Sequence, residues 1–317
     1  LFGVPQGSIL GPLLFNIFIN DIFFFLKKCN IANYADDTTP YSINSNVDAL
    51  TYALETDTNI LIKWFEDNYL KLNTDKCHLL VSNHEECVFI NAADDIIECE
   101  KSVKLLGVTI DNKLNFNDHV SNICKKASQK LHALARISNL MNKDKLRIVM
   151  KAFIESQFGY CPLIWMFHSR TLHNNINRLH ERSLRLVYKD SNLTFEELLR
   201  KDKSLSIHHR NLQKLAMEMY KIVNNSAPAI MKSLFPLRNI SYNLRSKNPF
   251  QQGNITSVYN GTETISFRGP KTWSLVPEEI KNSSTLTGFK SQFIHWEPLN
   301  CSCRLCKTYV PNLGVVN

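Results

Sequence analysis

Two groups of side chains in this sequence have the types and spacing to do chemistry. Asp36 and Asp37 adjoin between two short runs of strand-forming residues, Ile31 to Tyr34 and Thr38 to Tyr41, so the stretch predicts a hairpin with carboxylates at its tip. Adjacent carboxylates repel one another, and a bound divalent cation relieves that repulsion. The pair therefore points to Mg2+, although Asp is also an ordinary turn former. The second group is Cys301-x-Cys303-x-x-Cys306, three thiols close enough to share a Zn2+ ion. A closed tetrahedral site needs a fourth donor. No His or Cys follows Cys306, and His295 lies upstream across Pro298. His208-His209 has no partner at ligand spacing and reads as surface.

The elements that must position these groups follow from hydrophobic period. Gly3 to Ser8 is a Gly/Pro/Gln turn, and Ile9, Leu13, Leu14, Ile17 and Phe18 then predict a buried helix, with Ser8 as a candidate cap. Asn20-Asp21 falls near its end. Pro40 puts the return strand of the hairpin at an edge or bulge. Val47 to Asn68 carries one apolar helical face through Leu50, Leu54, Leu61, Trp64 and Phe65. Leu79 to Ser82, Val88 to Asn91 and Val103 to Ile110 predict short strands, the last interrupted by Gly107. From about residue 116 the period turns helical: Val120, Ile123, Ala127, Leu131, Leu134 and Ile137 form one stripe, with Asn117 or Asp118 as cap. Further helices are predicted at Asp144 to Phe158, Leu172 to Tyr188, Thr194 to Arg200 with a Thr194/Glu197 capping box, and Ile207 to Asn224. After Pro228 the chain is rich in Asn, Ser, Gly and Pro, with strand-like scraps around Ile255 to Phe267.

The expected fold class is α+β. Helices lie on a small antiparallel sheet in residues 1–115, a mostly helical region follows over 116–227, and an irregular C-terminal region with the Cys cluster spans 228–317. The 317 residues are 44% hydrophobic and 21% charged, ordinary for a globular chain. Leu13 to Leu26, the most apolar early stretch, is broken by Asn16, Asn20 and Asp21 and is too short to cross a bilayer. Nine scattered cysteines suit reduced thiols in the cytoplasm or nucleus better than a disulfide framework. A formal charge of +8 makes a polyanion partner plausible, since each cation near a phosphate releases condensed counterions.

Tyr34-Ala35-Asp36-Asp37 follows Gly3-Val4-Pro5-Gln6-Gly7-Ser8-Ile9-Leu10-Gly11-Pro12. With these strings in order, the sequence resembles the reverse transcriptases of non-LTR, LINE-type, jockey-like retrotransposons. The resemblance continues through Leu72-Asn73-Thr74-Asp75-Lys76-Cys77 and Lys104-Leu105-Leu106-Gly107-Val108-Thr109-Ile110-Asp111, and more loosely through His180 to Leu186. An RNA-dependent RNA polymerase fits less well, because the strings here are Ala-Asp-Asp and Pro-Gln-Gly.

The resemblance implies a partial polymerase palm followed by a helical thumb and connection. It implies that Gly3, Pro5, Gln6 and Gly7 line the nascent base pair, that Tyr34 and Ala35 flank nucleotide and primer end, and that Asp36 and Asp37 hold Mg2+. Lys76 would meet the triphosphate, and Leu105, Leu106 and Gly107 would form the primer grip. Lys125, Lys126 and Lys130 would follow the nucleic-acid backbone, although a solvated helix face explains them equally well. Trp165, Trp273 and Trp296 are candidates for base stacking or for core packing. Two Mg2+ ions, an RNA template, a DNA primer and deoxynucleoside triphosphates are the implied cofactors and partners. Two-metal transfer also needs a carboxylate from an earlier strand, which the family carries upstream of the Gly-Val-Pro-Gln-Gly string. The chain is therefore expected to start inside the palm, without its N-terminal polymerase half, and to be inactive alone. The alternative is a noncatalytic nucleic-acid-binding relic or domesticated fragment.

Overall fold

The computed structural model describes residues 7–84, 88–238, 248–251 and 263–307. The chain divides into two compact units, Leu1–Leu114 and Asn115–Asn317.

Unit 1 begins with α1 (Gly11–Ile19), which runs into a 3-10 turn at Asn20–Phe24. Ser8 caps it: its Oγ accepts the Gly11 N–H at 3.0 Å. The burial expected for α1 is not found. Leu13, Leu14, Ile17 and Phe18 are exposed, and only Gly11 and Ile19 of the helix are buried. The apolar spacing set the helix correctly, but nothing among the described residues covers most of that face.

Next come β1 (Asn30–Tyr34) and β2 (Asp37–Tyr41), then the long α2 (Val47–Asp67). Asn46 starts α2 by accepting the Ala49 N–H. The chain continues through a 3-10 turn at Thr74–Lys76 into β3 (Phe89–Ala92), β4 (Asp95–Glu98), β5 (Ser102–Leu105) and β6 (Val108–Asp111). Instead of one small sheet, the described strands make three two-stranded antiparallel ribbons, β1-β2, β3-β4 and β5-β6. Leu79 to Ser82 contributes only a single bridge, Leu79 to Cys99. Val103 to Ile110 is two strands rather than one, because Leu106 (φ 46°) and Gly107 (φ 84°) turn the chain back. Two successive residues at positive φ give the tight hairpin turn that matches strand twist.

α2 organises the unit through two small cores. Leu54 packs with Leu79, Val81, Val88 and Ile90, while Leu61 and Trp64 pack with Ile19 and Ile22.

Unit 2 is helical: α3 (Asn117–Ile137), α4 (Lys143–Phe153), α5 (Pro162–Trp165), α6 (Arg170–Tyr188), α7 (Phe195–Asp202) and α8 (Ile207–Val223). It continues with α9 (Ala229–Leu234), α10 (Ile265–Leu275), α11 (Glu278–Lys281), α12 (Leu286–Phe293) and α13 (Arg304–Lys307). Neither Asn117 nor Asp118 caps α3. Phe116 takes that place in a left-handed conformation, and Asn117 is already the first helical residue. The Thr194/Glu197 capping box forms as predicted.

The region expected to be irregular and separate, 228–317, is helical over most of its described part. It shares a core with α8: Leu215, Ala216, Met219 and Tyr220 pack with Phe235, Phe250, Trp273, Phe289, Phe293 and Trp296. Its aromatic rings stack in a row from Tyr220 through Phe289 and Phe293 to Trp296. This apolar content was diluted in sequence by Asn, Ser and Gly, which hid the helical period. Of the strand-like scraps at Ile255 to Phe267, residues 255–262 lie outside the described residues, and Ile265 to Phe267 is helix. Among the described residues no helix is long and apolar enough to cross a membrane.

Candidate functional site

The β1-β2 register pairs Tyr34 with Asp37, so the turn consists of Ala35 and Asp36 alone. Ala35 sits at φ 55°, a conformation that costs an L-residue about 1–2 kcal/mol. Such strain persists only where the surroundings hold it, and it clusters at functional sites. Tyr34, Ala35, Asp36 and Asp37 are all exposed, Tyr34 at 68%. The tip thus presents two carboxylates and a phenol ring to solvent. Just below it, Asn33 Nδ2 donates to Thr38 Oγ1 at 2.8 Å and ties the two strands.

The hairpin is positioned by a residue that sequence motifs did not single out. Asp57 is fully buried on α2. Its carboxylate accepts the backbone N–H groups of Lys27, Lys28 and Cys29, the last two at 2.8 and 2.7 Å to Oδ2. These three amides lead directly into β1. Burial, with Asp57 alongside, pushes the Cys29 thiol up to about 11, which keeps it protonated and unreactive at neutral pH. The signal was available: Asp57 interrupts the apolar stripe Leu54, Leu61 and Trp64 at helical spacing, and a charge there must be bonded. Asn59 does similar work for β3-β4, donating to Asn91 O at 2.9 Å and accepting from Ala93 N at 2.8 Å.

The remaining candidates fall on separate segments. Gly3, Pro5 and Gln6 lie outside the described residues. Gly7 takes φ 85°, and a Cβ there would meet nothing within 4 Å, so backbone conformation and not crowding requires the glycine. Lys76 is exposed at the end of the Thr74–Lys76 turn. Leu105 ends β5, while Leu106 and Gly107 form the tip of the β5-β6 hairpin with Leu106 41% exposed. A leucine held at positive φ in solvent is an unusual choice for a turn.

In unit 2, Lys125 and Lys126 are exposed on α3, away from its buried stripe, and Lys130 is half-buried at the edge of that stripe. Trp165, Trp273 and Trp296 are all buried and serve as packing. His208 is buried too, not at the surface, and it faces the tail cysteines.

Oxygen donors such as Asp36 and Asp37 fit Mg2+, which proteins commonly hold through one or two carboxylates with water and substrate phosphates completing the shell. Among the described residues no third His, Cys, Asp or Glu closes around them.

Residues 2–110 match the model of the reverse transcriptase (RNA-dependent DNA polymerase) family. Over that segment, about a third of the chain, the sequence is similar to the reverse transcriptases of jockey-like, non-LTR elements. It is similar to the RNA-directed DNA polymerase from mobile element jockey of Drosophila melanogaster, 26% identical over 197 residues, which cover 58% of this chain and 22% of that protein. The probable RNA-directed DNA polymerase from transposon BS of the same fly is also 26% identical, over 199 residues, 58% of this chain and 22% of the relative. A match to the probable polymerase from transposon X-element of Drosophila melanogaster, 24% identical, covers 71% of this chain and 27% of the relative, so the likeness extends beyond residues 2–110. The chain spans about a fifth of the length of the first two relatives. No solved structure matches it. Within the matched family segment lie both hairpin tips, Gly7, Lys76 and the Asp57 clamp.

Proposed function

We propose that this chain supplies part of the palm (residues 1–115) and the thumb and connection (116–227) of an RNA-directed DNA polymerase that extends a DNA primer along an RNA template inside the cell. The observation that carries the reading is the β1-β2 tip: two exposed carboxylates beside a strained Ala35, inside the segment that matches the family.

Asp36 is the principal Mg2+ ligand and Asp37 its neighbour. When bound, the Mg2+ ions supply charge neutralisation at the triphosphate and at the primer 3′ hydroxyl during in-line displacement. Tyr34 and Ala35 lie beside the nucleotide, with Gln6 and Gly7 against the nascent base pair. The Lys76 ammonium offsets charge on the departing pyrophosphate. Leu106, projecting at the β5-β6 tip, holds the primer end with Leu105 and Gly107. Lys125, Lys126 and Lys130 follow the duplex backbone.

A second reading, a noncatalytic nucleic-acid binder, is favoured by one observation: no further donor closes on Asp36 and Asp37 among the described residues, whereas two-metal transfer draws carboxylates from two strands. Primer extension separates the two. The 317 residues alone are expected to give no product. Joined behind a family-type N-terminal polymerase half, they are expected to extend an RNA-templated primer with Mg2+, and Asp36→Asn should cut that rate by about a thousandfold or more. Asp37→Asn should act similarly or less. A fused protein that binds template and primer but does not extend would establish the second reading.

A further inference from the structure

The three tail thiols lack a fourth donor in their own stretch of sequence, and the fold brings one from 95 residues away. The first turn of α8 carries His208, and its Nε2 lies 3.2 Å from Cys303 Sγ. The Cys306 N–H donates to Cys303 Sγ at 3.3 Å, and Cys301, half-buried, stands two residues before Cys303 on the same stretch of chain. The ligating atoms of His208, Cys303 and Cys306 all lie within 4.8 Å of one another. In a tetrahedral zinc site, with Zn–S near 2.3 Å and Zn–N near 2.0 Å, ligand atoms stand about 3.4–3.8 Å apart.

We propose that Cys301, Cys303, Cys306 and His208 hold one structural Zn2+ that fastens the C-terminal tail to α8. Cys303 is fully buried and His208 is 5% exposed. The imidazole meets only a thiol through Nε2, and its Nδ1 has no hydrogen-bond partner. Thiols are weak hydrogen-bond partners, so this arrangement satisfies a buried imidazole poorly unless a metal joins the two. Thiolate with imidazole selects zinc over hard cations such as Mg2+ or Ca2+.

His209 also approaches, with Nε2 3.9 Å from Cys306 Sγ. Successive helical residues point about 100° apart, so one ion does not draw on both histidines without distortion. His208 is the buried one. On binding, each of the three thiols releases its proton to solvent, and the site carries one net negative charge. Cys301 borders a cleft that Arg268 and Lys271 also line, which places cations beside that charge. Among the described residues the tail is also joined to the unit by buried Leu305 and by hydrogen bonds from Arg304 to His168 O and Glu263.

The test uses the full chain, purified without chelator from zinc-supplemented cells. Elemental analysis is expected to find about one zinc per chain, falling below about a tenth in Cys303→Ser and in His208→Ala and staying near one in His209→Ala. Replacement by Co2+ should give the intense visible absorption of a tetrahedral thiolate site. Because either variant could disturb folding, the unaltered chain is also alkylated with and without chelator. Cys301, half-buried, should react only after the metal is removed. Less than about a tenth of an equivalent in the zinc-supplemented chain overturns the proposal, as does zinc retained by His208→Ala, a disulfide among the three cysteines, or alkylation indifferent to chelator.

Discussion

Asp57 Oδ2 accepts the Cys29 backbone N–H at 2.7 Å, across a sequence separation of 28 residues. A buried carboxylate on a helix thereby fixes the start of the strand that ends in Tyr34. Removing it leaves the amides of Lys27, Lys28 and Cys29 facing an apolar interior. Asp57→Leu should destabilise unit 1 by about 3 kcal/mol, and hydrogen exchange should show Lys28 and Cys29 losing protection before the amides of α2. Unchanged protection would mean that packing alone holds β1.

At the hairpin tip, the positive φ of Ala35 sets a limit on side-chain shape. Ala35→Val should cost about 2 kcal/mol relative to Ala35→Gly, because a β-branched side chain tolerates that region least. Urea unfolding of the two variants side by side measures the difference.

Unit 2 should weaken in mild acid. Burial is the main cause that holds His168 down at about 4, against a partial offset from its hydrogen bond to Trp165 O, and burial likewise lowers His180. Both groups take up a proton on unfolding below about pH 6.5 while the native state refuses it, so stability is full above that pH and falls as pH drops toward 4. His168 alone accounts for about 3 kcal/mol over the window. Burial raises Glu155, but bonds from His180 and Arg210 outweigh it and hold it at about 2, so its contribution is lost later, from about pH 4.5 downward. Thermal melts across pH 4 to 8 should show this order, and His168→Asn should flatten the upper part.

Nucleic-acid binding should be strongly salt-dependent. If Lys125, Lys126 and Lys130 meet phosphates, replacing all three with alanine should lower affinity for an RNA–DNA duplex. The slope of log K against log salt should also become shallower, by about 0.9 for each phosphate that is no longer neutralised. Filter binding at several salt concentrations reads both. An unchanged slope would return these lysines to solvent.

The apolar face of α1 should bind a hydrophobic dye in the native chain, since Leu13, Leu14 and Ile17 are each more than half exposed. Leu14→Glu with Ile17→Lys should lower dye binding and self-association without loss of helicity. Loss of the fold would show that these side chains are packed after all.

The sequence made some of this legible and concealed the rest. Carboxylates at the tip of a hairpin, the helices α3, α4, α6, α7 and α8 and the Thr194 capping box all follow from local residue types and period, whereas the short α5 was not foreseen. The Leu106-Gly107 reversal was less visible, because a run of β-formers with one glycine looks like a single strand until the turn is closed. Asp57 and His208 share a different lesson: each is a polar residue on a buried helical face, and its partners come from remote segments that spacing cannot reveal. Exposure of α1 was hidden for the opposite reason, since an apolar period says which face seeks cover and not whether cover is present.

Helix α8 takes part in both large cores of unit 2, with Ile207 in one and Leu215 through Ile222 in the other. A single rigid element common to two hydrophobic clusters links their melting, because neither can disorder without fraying the helix that the other packs upon. Heating should therefore yield one calorimetric transition for residues 115–317 and not two, and the amides along the middle of α8 should exchange only when the whole unit opens.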